Sequence, residues 1–190
     1  VGLGGATFPA HVKLSPPHGK KAEVLIINAV ECEPYLTCDH QLMLEHGEEI
    51  LVGVSILMKA LEVEKAIIGI ENNKPDAISH LKQLATAFKS ITIEPLKVQY
   101  PQGGEKQLID AVIRRQVPSG RIPVEVGAVV FNVGTTYAVY EAVQKNKPMF
   151  ERVMTITGKD APNPSNYRVR LGTYLSHVVE QAGGDRKSVV

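Results

Sequence analysis

Three uninterrupted apolar runs, each trailed by a stretch long enough for a helix, constrain this chain more than any other feature. Residues 22–30 (AEVLIINAV), 65–70 (KAIIGI) and 128–133 (AVVFNV) are rich in β-branched side chains and lack a polar–apolar alternation. Such runs suit strands buried on both faces. After the first run, Leu42, Met43, Ile50, Leu51, Val54, Leu57, Met58 and Leu61 recur at three and four, which predicts one helix over 39–61. A second helix is expected over 76–89, with Pro75 at its start, and a third over 105–115. ITIEPLKVQY (91–100) reads as extended, and a helix over 135–144 opens on Thr135 and Thr136, one of them its N-cap.

Strands alternating with helices imply an α/β fold, a mostly parallel, Rossmann-like sheet flanked by helices. Such sheets bind ligands beyond the carboxyl ends of their strands. The polar clusters Asn28–Glu33, Glu71–Lys74 and Asn132–Thr135 each end a buried run, so one rim gathers all three. Near Lys147-Pro148 the pattern changes. RVMTITG and YRVRLGT read as two strands joined by APNPSN, TYLSHVVEQAGG as a short helix, and SVV as a possible third strand. Two units are therefore expected, 1–149 and a small, incomplete module over 150–190.

Composition removes several functions. The 21 basic and 20 acidic residues nearly cancel, so the basic stripe of a nucleic-acid binder is missing. Aromatics are 5% and tryptophan is absent, which argues against a stacking platform for single strands. Cys32 and Cys38 lack the spacing of zinc sites and read as free thiols in a reducing compartment. No apolar run reaches the roughly 20 residues of a membrane span, and no secretory signal is evident. An opening in glycines without an initiator Met suggests a fragment of a longer protein. The six histidines do not pair at ligand spacing, so no metal site is expected.

Chemistry concentrates in a few short stretches. The opening VGLGGATFPAHVK has Gly2, Gly4 and Gly5, able to bring backbone close to a ligand, with Phe8 as a stacking ring and Lys13 as a point charge; a plain turn is the competing reading. Glu31 and Glu33 fall on one face of an extended segment with Cys32 on the other, and carboxylates at such a rim accept from ribose hydroxyls. Gly103 and Gly104 precede a helix opening on Glu105, a place for an anion or an ordinary cap. NVGTT (132–136) has strand–loop–helix phosphate geometry, and in VPSGRIP (117–123) Arg121 could face a phosphate.

GLGGATFPAHVK, NAVECEPYLTCDHQLM, QYPQGGEKQLI, VPSGRIP and FNVGTTYAVYEAV, in this order, resemble the C subunit of the Rnf ion-translocating electron-transport complex. They are more distantly similar to the flavin- and NADH-binding subunit of respiratory complex I. The resemblance implies an FMN-binding α/β domain followed by a truncated soluble-ligand-binding β-grasp module. It sets Gly2, Gly4 and Gly5 against the flavin, Asn28 and Glu31 around FMN and its ribityl chain, and Asn132 and Thr135 at its phosphate. Phe8 matches the ring stacking on the NADH adenine, and Glu33, Lys13 and Glu105 match polar groups around the dinucleotide. Gly103 and Gly104 belong to the same cofactor set. Val30 stands where complex I relatives carry an aspartate.

The implied activity is hydride exchange between NAD(H) and FMN, with single electrons passing to two 4Fe–4S clusters in a missing C-terminal part. No residue need act as nucleophile or base, and the piece alone is expected to be inactive. Implied partners are the other subunits of the membrane complex, with the chain peripheral on the cytoplasmic face and not inserted. Two alternatives stand beside this: a docking module without flavin, and a binder of a small soluble ligand through the β-grasp piece.

Overall fold

The computed structural model describes residues 2–4, 7–159 and 161–184. Strands β1 (Val24–Asn28), β2 (Ala66–Glu71), β3 (Ile91–Leu96) and β4 (Ala128–Asn132) form one sheet in the order β3-β2-β1-β4, with every neighbouring pair parallel. The chain steps outward from β1 to β3, then returns to place β4 on the other side of β1. The switch point therefore lies between β1 and β4, where an open parallel sheet leaves a crevice at its carboxyl rim. Asn28 and Asn132 stand opposite each other there. Pro95 is tolerated because β3 is an edge strand.

Alternation along the strands divides the core. Leu25, Ile27 and Ile68 face one side with α3 (Gly47–Leu61), α4 (Pro75–Ala85) and α6 (Val133–Gln144), while Val24, Ile26 and Ile67 face α5 (Glu105–Ile113). Both faces are covered over β1, β2 and β4, as the continuous apolar runs require, while the edge strand β3 leaves Thr92 and Glu94 exposed. Each fully buried Leu or Ile contributes about 1.5–3 kcal/mol. Gly53 lets α3 lie against α6, since a Cβ there would run into the Thr136 carbonyl oxygen.

Several boundaries differ from expectation. The helix expected over 39–61 is two, α2 (Cys38–Glu45) and α3, broken at His46, whose φ of −131° and ψ of 33° leave the helical region. The break lets Gly47 press on α4, where a Cβ would stand 2.8 Å from Leu84 and 2.9 Å from the His80 ring. The second helix begins at Pro75 as expected but ends at Ala85, with Thr86 donating its hydroxyl to the Gln83 carbonyl at 2.7 Å. Arg114, at φ 58°, ends α5 just short of its expected close. A short helix α1 (Ala10–Lys13) occupies the opening segment, and a 3-10 turn covers Pro123–Val126.

Past Lys147 the chain forms an antiparallel hairpin, β5 (Glu151–Ile156) with β6 (Ser165–Arg170), then α7 (Leu175–Gln181). The SVV strand expected at the end lies outside the described residues. The hairpin is held to the larger sheet's loops by side chains. Thr37 donates its backbone N–H to Thr155 Oγ1 at 3.2 Å, and Asn166 Nδ2 donates to the Thr37 carbonyl at 3.3 Å. Among the described residues, no helix is long and apolar enough to cross a membrane.

Candidate functional site

The site begins at the end of β4. Asn132, not Thr135 or Thr136, is the N-cap of α6: its Oδ1 accepts from the backbone N–H of Gly134 at 2.9 Å and of Thr135 at 3.2 Å. Strand passes into helix without a loop, so the expected cap threonines already lie inside the helix. Thr135 is 4% exposed and its Oγ1 accepts from Leu3 N–H at 2.9 Å, fastening the opening segment to this helix. Gly4 follows directly. A Cβ there would stand 2.8 Å from Asn132 Cβ and Cγ, so only glycine allows the backbone this close.

Beyond β1 the Glu31 backbone turns to φ 48°, which ends strand alternation. The expected shared face for Glu31 and Glu33 is thereby lost. Glu31 turns inward and accepts from the backbone N–H of Asp39 at 2.7 Å and of His40 at 3.1 Å, capping α2 from seven residues upstream. Glu33 points outward to the Tyr100 hydroxyl at 3.1 Å, which pushes the phenol's pKa up through that bond. Inside the turn, Glu31, Cys38 and Asp39 place polar atoms within 4.8 Å of one another. Burial, and then the charge of Glu31, pushes the Asp39 carboxyl up to about 6. Burial and the Asp39 and Glu31 charges push the Cys38 thiol up to about 11, an unreactive thiol. Asp39 Oδ2 accepts from Asn132 Nδ2 at 2.8 Å and so sets which way the capping amide faces.

The second glycine pair joins through Asn28. Its Nδ2 donates to the Gly103 carbonyl at 2.8 Å, and its Oδ1 accepts from Val30 N–H at 3.2 Å. Lys74, 6% exposed, donates to the Val30 carbonyl at 3.1 Å and pairs with buried Glu71 at 3.4 Å. A line of hydrogen bonds thus runs from Lys74 through Val30 and Asn28 to Gly103. Asn28 and Gly103, with Gly4, Glu31, Asp39 and Asn132, line a cleft of about 630 Å³, within the range of small-molecule sites. Its far wall comes from the hairpin side, with Arg152, Val153 and Arg168, and with Lys147 bridging Glu141 at 2.8 Å and Glu151 at 2.9 Å.

Of the residues singled out from sequence, Gly4, Asn28, Glu31, Glu33, Gly103, Gly104 and Asn132 line this cleft. Gly2, Phe8, Lys13, Glu105 and Thr135 do not line it. Lys13 and Glu105 pair with each other at 2.8 Å, and Lys13 also donates to the Val130 carbonyl on the outer edge of β4. Phe8 is half exposed beside the opening turn. Gly5 lies outside the described residues. Asp39 escaped sequence reading, because an acid in a first helical turn looks ordinary; Lys74, from the polar cluster expected at the rim, does not line the cleft.

A parallel α/β sheet with a glycine-lined cleft at its switch point has the architecture of nucleotide- and flavin-binding domains. The chain belongs to the Nuo51 FMN-binding domain family, whose pattern matches residues 1–141. It is 48% identical over its whole length to the C subunit of the proton-translocating ferredoxin:NAD(+) oxidoreductase complex of Clostridium ljungdahlii. To the Na(+)-translocating counterpart of Acetobacterium woodii it is 45% identical over 97% of the chain. To the C subunit of an ion-translocating oxidoreductase complex of Haemophilus influenzae it is 43% identical over 96%. The chain spans 41%, 42% and 28% of these relatives' lengths. Among solved structures, an NAD+-reducing [NiFe]-hydrogenase in the air-oxidized state matches at TM-score 0.82 and 26% identity, over 97% of this chain and 37% of that one. The resemblance drawn from the five motifs therefore holds, as does the α/β class.

Proposed function

We propose that this chain holds FMN in the cleft between β1 and β4 and exchanges hydride with NAD(H) there. The convergence of Gly4, Asn28, Glu31, Gly103 and Asn132 on one crevice, in a chain of an FMN-binding family, carries this reading. The cradle fits the group: Gly4, packed directly on Asn132, and Gly103 and Gly104 line the cleft with backbone rather than side chains, and the lining mixes acceptors with N–H donors. When bound, FMN takes two electrons as hydride and can return them singly.

The chain's own residues hold and orient. Asn132 would meet the cofactor beside the first turn of α6, and the Gly103–Gly104 turn would form the wall held by Asn28. Thr135 acts indirectly, by anchoring Leu3 and hence the Gly4 turn. Phe8, Lys13 and Glu105 do not line the cleft and would meet the dinucleotide where it extends beyond it. In the longer protein the electrons would pass to iron–sulfur clusters outside this chain. The chain would then work as part of the C subunit of an ion-translocating ferredoxin:NAD oxidoreductase complex, peripheral on the cytoplasmic face of the membrane. Residues 1–149 would carry the flavin and 150–190 a partial β-grasp module.

Titrating the purified chain with FMN tests this. Saturable quenching of flavin fluorescence with a Kd below tens of micromolar, and anaerobic bleaching of the flavin band by NADH, are expected. No saturation at that concentration would remove the flavin reading. A docking role has its own observation, because Phe150, Leu171, Tyr174 and Leu175 are all exposed around the hairpin and α7. It is compatible with the first and predicts that other subunits bind there.

A further inference from the structure

Asp39 lines the cleft from the first turn of α2. Its Oδ2 is taken by the Asn132 amide, while Oδ1 lies over the first turn of α6, 3.5 Å from where a Gly134 Cβ would stand. Glu31, from the turn after β1, brings a second carboxylate within 4.8 Å. That carboxylate accepts two backbone N–H groups of α2. A bound flavin nucleotide carries acceptors (ring carbonyls, ring nitrogens, phosphate oxygens) beside its ring N3–H and ribityl hydroxyl donors. Against those acceptors an ionised Asp39 offers only lone pairs.

We propose that Asp39 meets the bound flavin nucleotide as a neutral carboxylic acid, donating an O–H from Oδ1 into the cleft, so that loading the cofactor takes up a proton there. This rests on the FMN reading above. Every group around Asp39 bears on the balance. Glu31 from the β1 turn disfavours a second negative charge, and the un-ionised Cys38 thiol of α2 offers no positive charge against it. The Asn132 amide from α6, Arg152 from β5 and Lys74 from the turn before α4 favour the anion. Burial decides, and without ligand it already pushes the carboxyl up to about 6. A ligand that excludes water and adds negative charge moves the balance further the same way. The proton comes from solvent and is released when the cofactor leaves.

The test is isothermal titration of the purified chain with FMN and with riboflavin, in buffers of different ionisation enthalpy, for wild type and Asp39→Asn. The substituted amide would keep an acceptor for Asn132 while turning N–H donors to the cleft, which mimics the neutral acid. Proton uptake at pH 7.5 is expected to be greater in wild type than in the variant by close to one per FMN. Wild-type affinity should fall up to about tenfold per pH unit above 6 relative to D39N, with the two equal within about twofold at pH 5.5. The FMN phosphate titrates in both proteins, so the difference isolates Asp39. A difference that persists with riboflavin places the O–H on the ring or ribityl chain, and one seen only with FMN places it on phosphate. Equal proton counts, or D39N binding more weakly at pH 8, would overturn the proposal while leaving the FMN reading intact. No saturable binding by either protein would remove that reading itself. Should D39N not fold, Asp39→Ser, neutral and hydroxyl-bearing, serves the same comparison.

Discussion

Asn132 Nδ2 donates to Asp39 Oδ2 at 2.8 Å, joining the first turns of α6 and α2 across residues 93 apart in sequence. The same amide's oxygen caps α6, so one side chain links the sheet's switch point to two helix starts. The carboxyl rim between β1 and β4, where the chain's path reverses, is thereby fixed by side chains as well as by backbone pairing.

Removing that joint should cost both stability and binding. Asn132→Ala loses an N-cap, worth about 1–2 kcal/mol, and leaves Asp39 without its amide. Urea unfolding should show a drop of that size, and the FMN titration at least a tenfold loss. A variant as stable as wild type would mean the cap is not formed.

Asp39 also makes stability depend on pH in the direction opposite to that of a salt-bridged carboxylate. Its folded-state pKa, about 6, is above the ordinary 3.8, so the folded state binds the proton more tightly. Asp39's own contribution to stability without ligand, read as wild type relative to Asp39→Asn, should be greatest below pH 4, fall as pH rises to 6, and level off above. At about 1.4 kcal/mol per unit, the total reaches up to roughly 3 kcal/mol. Urea midpoints at pH 4 and 7.5 check this; Asp39→Asn should flatten the profile.

Lys74→Met should unfold the protein readily. It strands Glu71, 2% exposed, as a buried charge, a loss of about 3–5 kcal/mol. Adding Glu71→Gln should recover a large part, which a double-mutant cycle in urea would read. Because Lys74 also holds the Val30 carbonyl, FMN binding should recover less than stability does.

Gly4→Ala separates binding from folding. The added Cβ would stand 2.8 Å from Asn132, so the opening turn must move away from the cleft. Affinity for FMN should fall by tenfold or more while Tm changes by a few degrees at most.

Cys38 should resist alkylation. With its thiol pushed up to about 11, only about a thousandth is thiolate at pH 8. Mass spectrometry after iodoacetamide should find Cys38 unmodified in the folded chain and modified once urea unfolds it.

The strands were legible because burial on both faces leaves a local trace, an unbroken apolar run, and parallel pairing follows from the helices between the runs. The glycine turns and the amides at strand ends were legible for a similar reason: rim positions of such a sheet lie next to each run's last residue. The helix break at His46 was not, since the periodicity continues through it and only the packing of Gly47 on α4 requires the turn. Nor was the parting of Glu31 from Glu33. Alternation holds only while φ stays extended, and Glu31 leaves that region to reach the α2 N-terminus.

By itself, then, the order of residues determined the layered α/β class, the rim that gathers the polar clusters, and the kinship with flavin-binding chains. Tertiary structure alone decided that Glu31 caps a helix while Glu33 meets the Tyr100 hydroxyl, that Lys13 and Glu105 neutralise each other, and that Asn132 rather than a threonine starts α6. The first set depends on hydrophobic burial and backbone geometry, which act over a few neighbouring residues. The second depends on hydrogen bonds and desolvation between groups dozens of residues apart, fixed only when the sheet has closed around them.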